Sequence, residues 1–155
     1  MTVSLVEALS ALAADVGSES ELYEAAVERI VDAAAHYDWV GIYVVEGDRL
    51  SLAAWRGPQP TEHVSIPLDQ GICGFAATAG ETVVVDDVNA DPRYLACFLG
   101  TRSEIVVPIL AGGEVVAEID IDSDTRGAFG PRDREVLEAA ANAIGERVAE
   151  LRSLD

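Results

Sequence analysis

The chain is predicted to fold as an α+β layer structure, a largely antiparallel sheet with helices from both ends of the chain packed on one face and a ligand pocket on the other. Three observations predict it. Apolar residues recur at helical spacing near both termini, the period falls to two in the segments between them, and one long aperiodic stretch, 86–102, interrupts the strands. Helices that bury one face of an antiparallel sheet leave the other face for long connections to close over, and a pocket there is where function is expected. The 155 residues fit a single domain, 1–155.

Leu5, Leu9, Leu12 and Val16 give the first helix its apolar stripe, and Gly17 ends it. Ser18 and Glu21 form a capping-box pattern for a second helix over about 20 to 36, with Leu22, Ala26, Ile30 and Ala34 on its buried side. From Trp39 the pattern is that of strands. Residues 39–45 and 50–55 flank Glu46-Gly47-Asp48 as a hairpin, and Trp39, Tyr43 and Trp55 on it belong to the core or wall the pocket. Beyond the breaker Gly57-Pro58-Gln59-Pro60, residues 63–67 read as a short edge strand ending at Pro67, with His63 as a surface residue on it. Residues 71–79 form a short helix and 82–85 a strand. The loop 86–102 is given one helical turn near Tyr94 to Phe98; loops of this length in small domains are usually functional. Strands from Glu104 to Leu110 and from Glu114 to Ile121 meet at Ala111-Gly112-Gly113. Pro131 then starts a long helix carrying Leu137, Ala140, Ile144, Val148 and Leu151 at 3-4 spacing.

Charge excludes several classes of partner. Twenty-eight acidic residues stand against 10 basic ones, all of them Arg, for a net charge of -18. No basic stripe exists to displace phosphate counterions, so nucleic acid is excluded and anionic membranes are disfavoured. No apolar run approaches the roughly 18 residues of a membrane span, and the first residues lack a secretory signal pattern, so a cytoplasmic location is expected. The acidic surface fits a halophile-like adaptation to concentrated salt.

Chemistry is sought in two cysteines, Cys73 and Cys97, and in a short acidic run. Two thiols do not make a structural disulfide framework, and no CxxC or HxxxH pair marks a metal site, so no metal is expected. Buried apolar thiols or redox chemistry remain. Asp120 and Asp122, two apart on a strand, share one face; Ile119 and Ile121 between them point to the core, which sets the carboxylates toward the pocket. Clustered carboxylates repel, which raises a pKa and keeps a proton available near neutrality. Glu104 on the neighbouring strand faces them or pairs with Arg102.

The run Gly71-Ile72-Cys73-Gly74, then Asp87-Val88, Ala96-Cys97, Ser103-Glu104-Ile105-Val106-Val107-Pro108-Ile109 and Ile119-Asp120-Ile121-Asp122-Ser123 resembles the GAF-fold free methionine-(R)-sulfoxide reductases. The resemblance implies a GAF-type domain in which Cys97 attacks the sulfoxide sulfur and Cys73 resolves the resulting sulfenic acid as a disulfide. Glu104, Asp120 and Asp122 match the family's substrate-binding carboxylates. It further implies free methionine sulfoxide as the small-molecule partner, a thioredoxin-like reductant, a homodimer and no cofactor. A third cysteine common in the family is His63 here. The segments Asp91-Pro92-Arg93-Tyr94-Leu95 and Thr101-Arg102-Ser103-Glu104 also resemble sensor GAF domains, so a non-catalytic small-molecule sensor is the alternative expectation.

The charge imbalance predicts that added salt stabilises the fold. The melting temperature should rise between about 0.1 M and about 1 M salt, as the screening length shortens from about 10 Å to about 3 Å; a constant value would exclude self-repulsion as a significant cost.

Overall fold

The computed structural model describes residues 4–95 and 100–154. Two helices open the chain, α1 (Leu5–Asp15) and α2 (Glu19–Val31), each with a serine cap. The Ser4 and Ser18 hydroxyls accept hydrogen bonds from the Glu7 and Glu21 amides, supplying acceptors that the first turns lack. Helix α2 is shorter than its apolar pattern predicts. His36 and Tyr37 turn away from the helix axis to Asp133, whose Oδ1 accepts hydrogen bonds from Tyr37 Oη at 2.7 Å and His36 Nε2 at 2.9 Å.

The sheet follows as β1 (Trp39–Glu46), β2 (Arg49–Arg56), β3 (Ser65–Pro67), β4 (Val83–Val85), β5 (Ser103–Ala111) and β6 (Glu114–Ser123), with α3 (Gly71–Ala79) between β3 and β4. Helix α4 (Pro131–Ser153) closes the chain. All pairings are antiparallel, in the order β3-β2-β1-β6-β5-β4. The expected edge strand is confined to 65–67. His63 lies outside it and is half-buried, with its carbonyl accepting a hydrogen bond from the buried Tyr43 hydroxyl at 2.8 Å. Within 86–102 the helical turn falls at Val88–Ala90, where the Asp87 side chain accepts from the Asn89 amide. The turn expected at 94–98 is not formed at Tyr94 or Leu95, and 96–98 lie outside the described residues.

Two apolar clusters lie on opposite faces of the sheet. On one face α1, α2 and α4 cover Ile105, Val107, Ile109, Ala117, Ile119 and Ile121. On the other, Ile72, Cys73 and Ala76 of α3 pack in one cluster with Trp39, Tyr43, Leu50, Val85 and Val106. The helical face supplies most of the stability, since each fully buried Ile or Leu contributes about 1.5–3 kcal/mol. It also anchors β5 and β6, so the opposite sides of those strands are held in a fixed register. Among the described residues no helix is long and apolar enough to cross a membrane.

Close approach of α4 to β5 depends on Gly145, where an added Cβ would collide with the Leu110 carbonyl oxygen. Backbone cannot yield as a flexible side chain does, so Gly145→Ala should destabilise by about 1–3 kcal/mol despite a helix-propensity gain of about 1 kcal/mol. Urea unfolding measures this; a more stable variant would show that α4 sits farther from the sheet.

Candidate active site

The pleat of β6 builds the site. Its odd-numbered residues Ala117, Ile119 and Ile121 enter the helical core, so the even-numbered Glu118, Asp120 and Asp122 point to the opposite face. These three carboxyls are buried, with relative exposures of 0%, 1% and 2%. Strand register sets their neighbours. On the β5 side Glu104 pairs with Asp122, Val106 with Asp120 and Pro108 with Glu118. On the β1 side the partners are Trp39, Gly41 and Tyr43, in the same order. Glu104 is buried as well.

Gly41, opposite Asp120, leaves room for an aromatic wall. A Cβ there would strike the far edge of the Trp39 ring. The indole thus lies over the glycine, stacked on Trp55 with ring centroids 6.3 Å apart and planes 12° from parallel. From above the sheet, α3 lowers Cys73 onto the carboxyls. Its Sγ and one oxygen each from Glu104 and Asp120 all lie within 4.8 Å of one another. Two small cavities border this group. One, of about 10 Å³, is lined by Ile66, Gly71, Cys73, Leu95 and Glu104, and the other, of about 150 Å³, by Asp38, Trp39, Gln59, Thr101, Asp122 and Asp124.

Of the expected site residues, Cys73, Glu104, Asp120 and Asp122 come together from three elements. Cys97 lies outside the described residues. Glu118 was not anticipated from the sequence, although the alternation 118, 120, 122 carries the signal: an acid two before Asp120 must share its face if Asp120 and Asp122 share theirs. The possible ion pair of Glu104 with Arg102 gives way to burial in the carboxyl cluster.

Among the described residues, no hydrogen-bond donor reaches any carboxyl oxygen of Glu118, Asp120 or Asp122 with ordinary geometry. Glu118 and Asp120 lie against the Cys73 thiol, and Asp120 and Asp122 against Glu104, contacts that only a shared proton can make favourable. Burial accordingly pushes the Glu118 carboxyl well above its ordinary range, with the Asp120 charge adding to the effect. Burial also raises Asp120, opposed by contacts with Glu104 and Cys73, and raises Asp122 strongly, helped by Asp120. The Cys73 thiol is pushed well up, first by burial and then by Asp120, Glu118 and Glu104. The cluster therefore holds its protons to higher pH than free carboxyls do, attracts cations and disfavours a resting thiolate at Cys73.

The GAF domain family model matches residues 18–148. The type II free methionine-R-sulfoxide reductase of Thermoplasma acidophilum is 40% identical with a TM-score of 0.80, over 92% of this chain and 96% of that one. The corresponding reductase of Neisseria meningitidis, solved with its substrate, is 31% identical with a TM-score of 0.89, over 97% and 90%. The Saccharomyces cerevisiae free methionine-R-sulfoxide reductase is 38% identical over 117 residues, 73% of this chain but 64% of its own length. The chain belongs to the GAF domain family, in the group that holds the free methionine-R-sulfoxide reductases.

Raised carboxyl pKa values fix the sign of a pH effect. The folded state binds protons that the unfolded chain releases near pH 4, so their stabilisation is complete below about pH 4 and is lost as pH rises through the folded-state values. Glu118→Gln removes one such group. Its urea stability should fall less steeply than wild type between pH 5 and pH 8, by up to about 1.4 kcal/mol per pH unit; identical slopes would mean that Glu118 is already ionised.

Proposed function

We propose that the chain is an oxidoreductase that reduces free L-methionine (R)-sulfoxide to methionine through Cys97 and Cys73. The observation that carries this reading is the buried cluster of Glu104, Glu118, Asp120 and Asp122 beside Cys73, with the Cys73 sulfur and one oxygen each of Glu104 and Asp120 within 4.8 Å of one another. Two structural relatives that match over more than nine-tenths of this chain are named free methionine-R-sulfoxide reductases.

The Cys97 thiolate attacks the sulfoxide sulfur while a protonated carboxyl of the cluster donates to the sulfoxide oxygen, which would otherwise leave as an unstable oxyanion. Oxygen ends on Cys97 as a sulfenic acid and methionine is released, so sulfur in the substrate gains the two electrons that the cysteine loses. The Cys73 thiol then gives its proton to an ionised carboxylate of the cluster and attacks the sulfenic sulfur. An S–S bond forms, the S–O bond breaks, and the hydroxyl leaves as water with a proton from the cluster. A thioredoxin-like dithiol reduces the disulfide and returns both thiols.

Ionised members of the cluster have a separate role. The substrate is an amino acid with a free ammonium group, and a buried carboxylate lacking an N–H donor is a strong partner for it. A methionine residue inside a peptide has an amide there instead, which supplies no charge, so the cluster selects the free amino acid. Trp39, packed beside the carboxyls, supplies an apolar wall for the thioether side chain.

Thioredoxin-coupled NADPH oxidation with free methionine (R)-sulfoxide tests the proposal. Wild type should turn over, Cys97→Ser should show none, and Cys73→Ser should release about one methionine per chain and then stop unless a small thiol is added. Full turnover by Cys97→Ser, or no activity in the wild type in dilute or molar salt, would refute it.

A further inference from the structure

Cys73, Glu104 and Asp120 bring one sulfur and two oxygens together on three different elements, all within 4.8 Å of one another. Sequence spacing could not reveal such a set, because no two of the three share a local motif. Two further observations point to a ligand at this place. Glu118 is fully buried, its carboxyl lies against the Cys73 thiol, and neither of its oxygens has a hydrogen-bond partner among the described residues. The adjoining cavity, lined by both Cys73 and Glu104, measures about 10 Å³, the space of about one water molecule or one ion. It is far below the roughly 300–1,000 Å³ of an organic ligand pocket.

The geometry points to a binding site for a thiophilic divalent cation, zinc in particular, held by Cys73 Sγ and the carboxylates of Glu104 and Asp120. The donor set selects the metal. Magnesium and calcium take oxygen ligands in larger numbers, whereas zinc accepts one thiolate with two carboxylates at about 2.0–2.3 Å and completes a tetrahedron with a fourth ligand. Ligand atoms in such a tetrahedron stand about 3.5 Å apart. Atoms already within 4.8 Å of one another need only small side-chain rotations to reach it. Binding displaces the thiol proton from Cys73, which is released to solvent.

A metal held there supplies the positive charge that the three buried acids otherwise lack. It occupies the position assigned above to the ammonium group of the substrate and masks Cys73 as a thiolate ligand. Zinc is therefore an inhibitor competing with substrate and blocking disulfide formation, a consequence that rests on the proposed reductase reading. The binding itself does not.

Cobalt(II) is the direct probe, because a thiolate ligand gives it a charge-transfer absorption that surface carboxylates do not. The test uses reduced Cys97→Ser protein, which keeps Cys73 as its sole thiol. One equivalent of cobalt should produce the thiolate band in molar NaCl, where binding to the acidic surface is screened, and zinc should abolish it. Cys73→Ser in the same background should remove the band. Asp120→Asn and Glu104→Gln should each weaken cobalt binding at least tenfold, two variants being used so that a folding defect in one, visible by circular dichroism, does not decide the matter. Absence of the band in the Cys97→Ser protein, its survival without Cys73, or unchanged affinity in both folded carboxyl variants would overturn the site. Cobalt binding with no sulfoxide turnover in wild type would overturn the reductase reading alone; turnover with no cobalt band would overturn the metal site alone.

Discussion

The pocket face of β6 imposes the constraint on which the rest of the structure depends. A strand that points three acids into a closed interior, with Glu104 from β5 beside them, cannot ionise all of them without N–H donors or a cation. The protein has no Lys anywhere, and no arginine hydrogen-bonds the Glu118, Asp120 or Asp122 carboxyls among the described residues. Protons or a bound cation must therefore balance the cluster. Holding such groups in place requires a rigid frame, and the opposite face supplies it. Ile105, Val107, Ile119 and Ile121 alternate with the acids along the same two strands and are clamped beneath α1, α2 and α4.

The same arrangement explains why Cys73 is a poor resting nucleophile. Its thiol sits among carboxyls that oppose ionisation, and burial opposes it further. A thiol kept protonated resists indiscriminate oxidation. Reactivity then depends on what occupies the pocket: an ammonium group lowers the local negative potential, and a carboxylate freed of its proton can accept the one on sulfur. In the proposed reductase reaction, substrate charge and thiol reactivity are coupled through the same few atoms.

Much of this was legible in the sequence because it rests on period and adjacency. The alternation of Ile119 and Ile121 with Asp120 and Asp122 assigned both faces of β6, and α3 was given its observed bounds of Gly71 to Ala79. Element ends set by distant partners were not legible. Helix α2 stops at Val31 because His36 and Tyr37 reach Asp133, some hundred residues away, which no local pattern records. Glu118 was readable in principle but hidden by composition, since one more acid in so acidic a chain attracts no notice until its face is known. The meeting of Cys73 with Glu104 and Asp120 depends on how α3 lies over β5 and β6, which spacing along the chain does not encode.

The central claim is that the buried cluster holds at least one proton at neutral pH. Infrared spectroscopy of the ligand-free, metal-free protein at pH 7 reads this directly, through the carbonyl stretch of a protonated carboxyl group, which is absent from ionised side chains. The account predicts that the band is present in the wild type and is reduced or shifted in Asp120→Asn and in Asp122→Asn. A wild-type spectrum with no protonated carboxyl at pH 7 would contradict it.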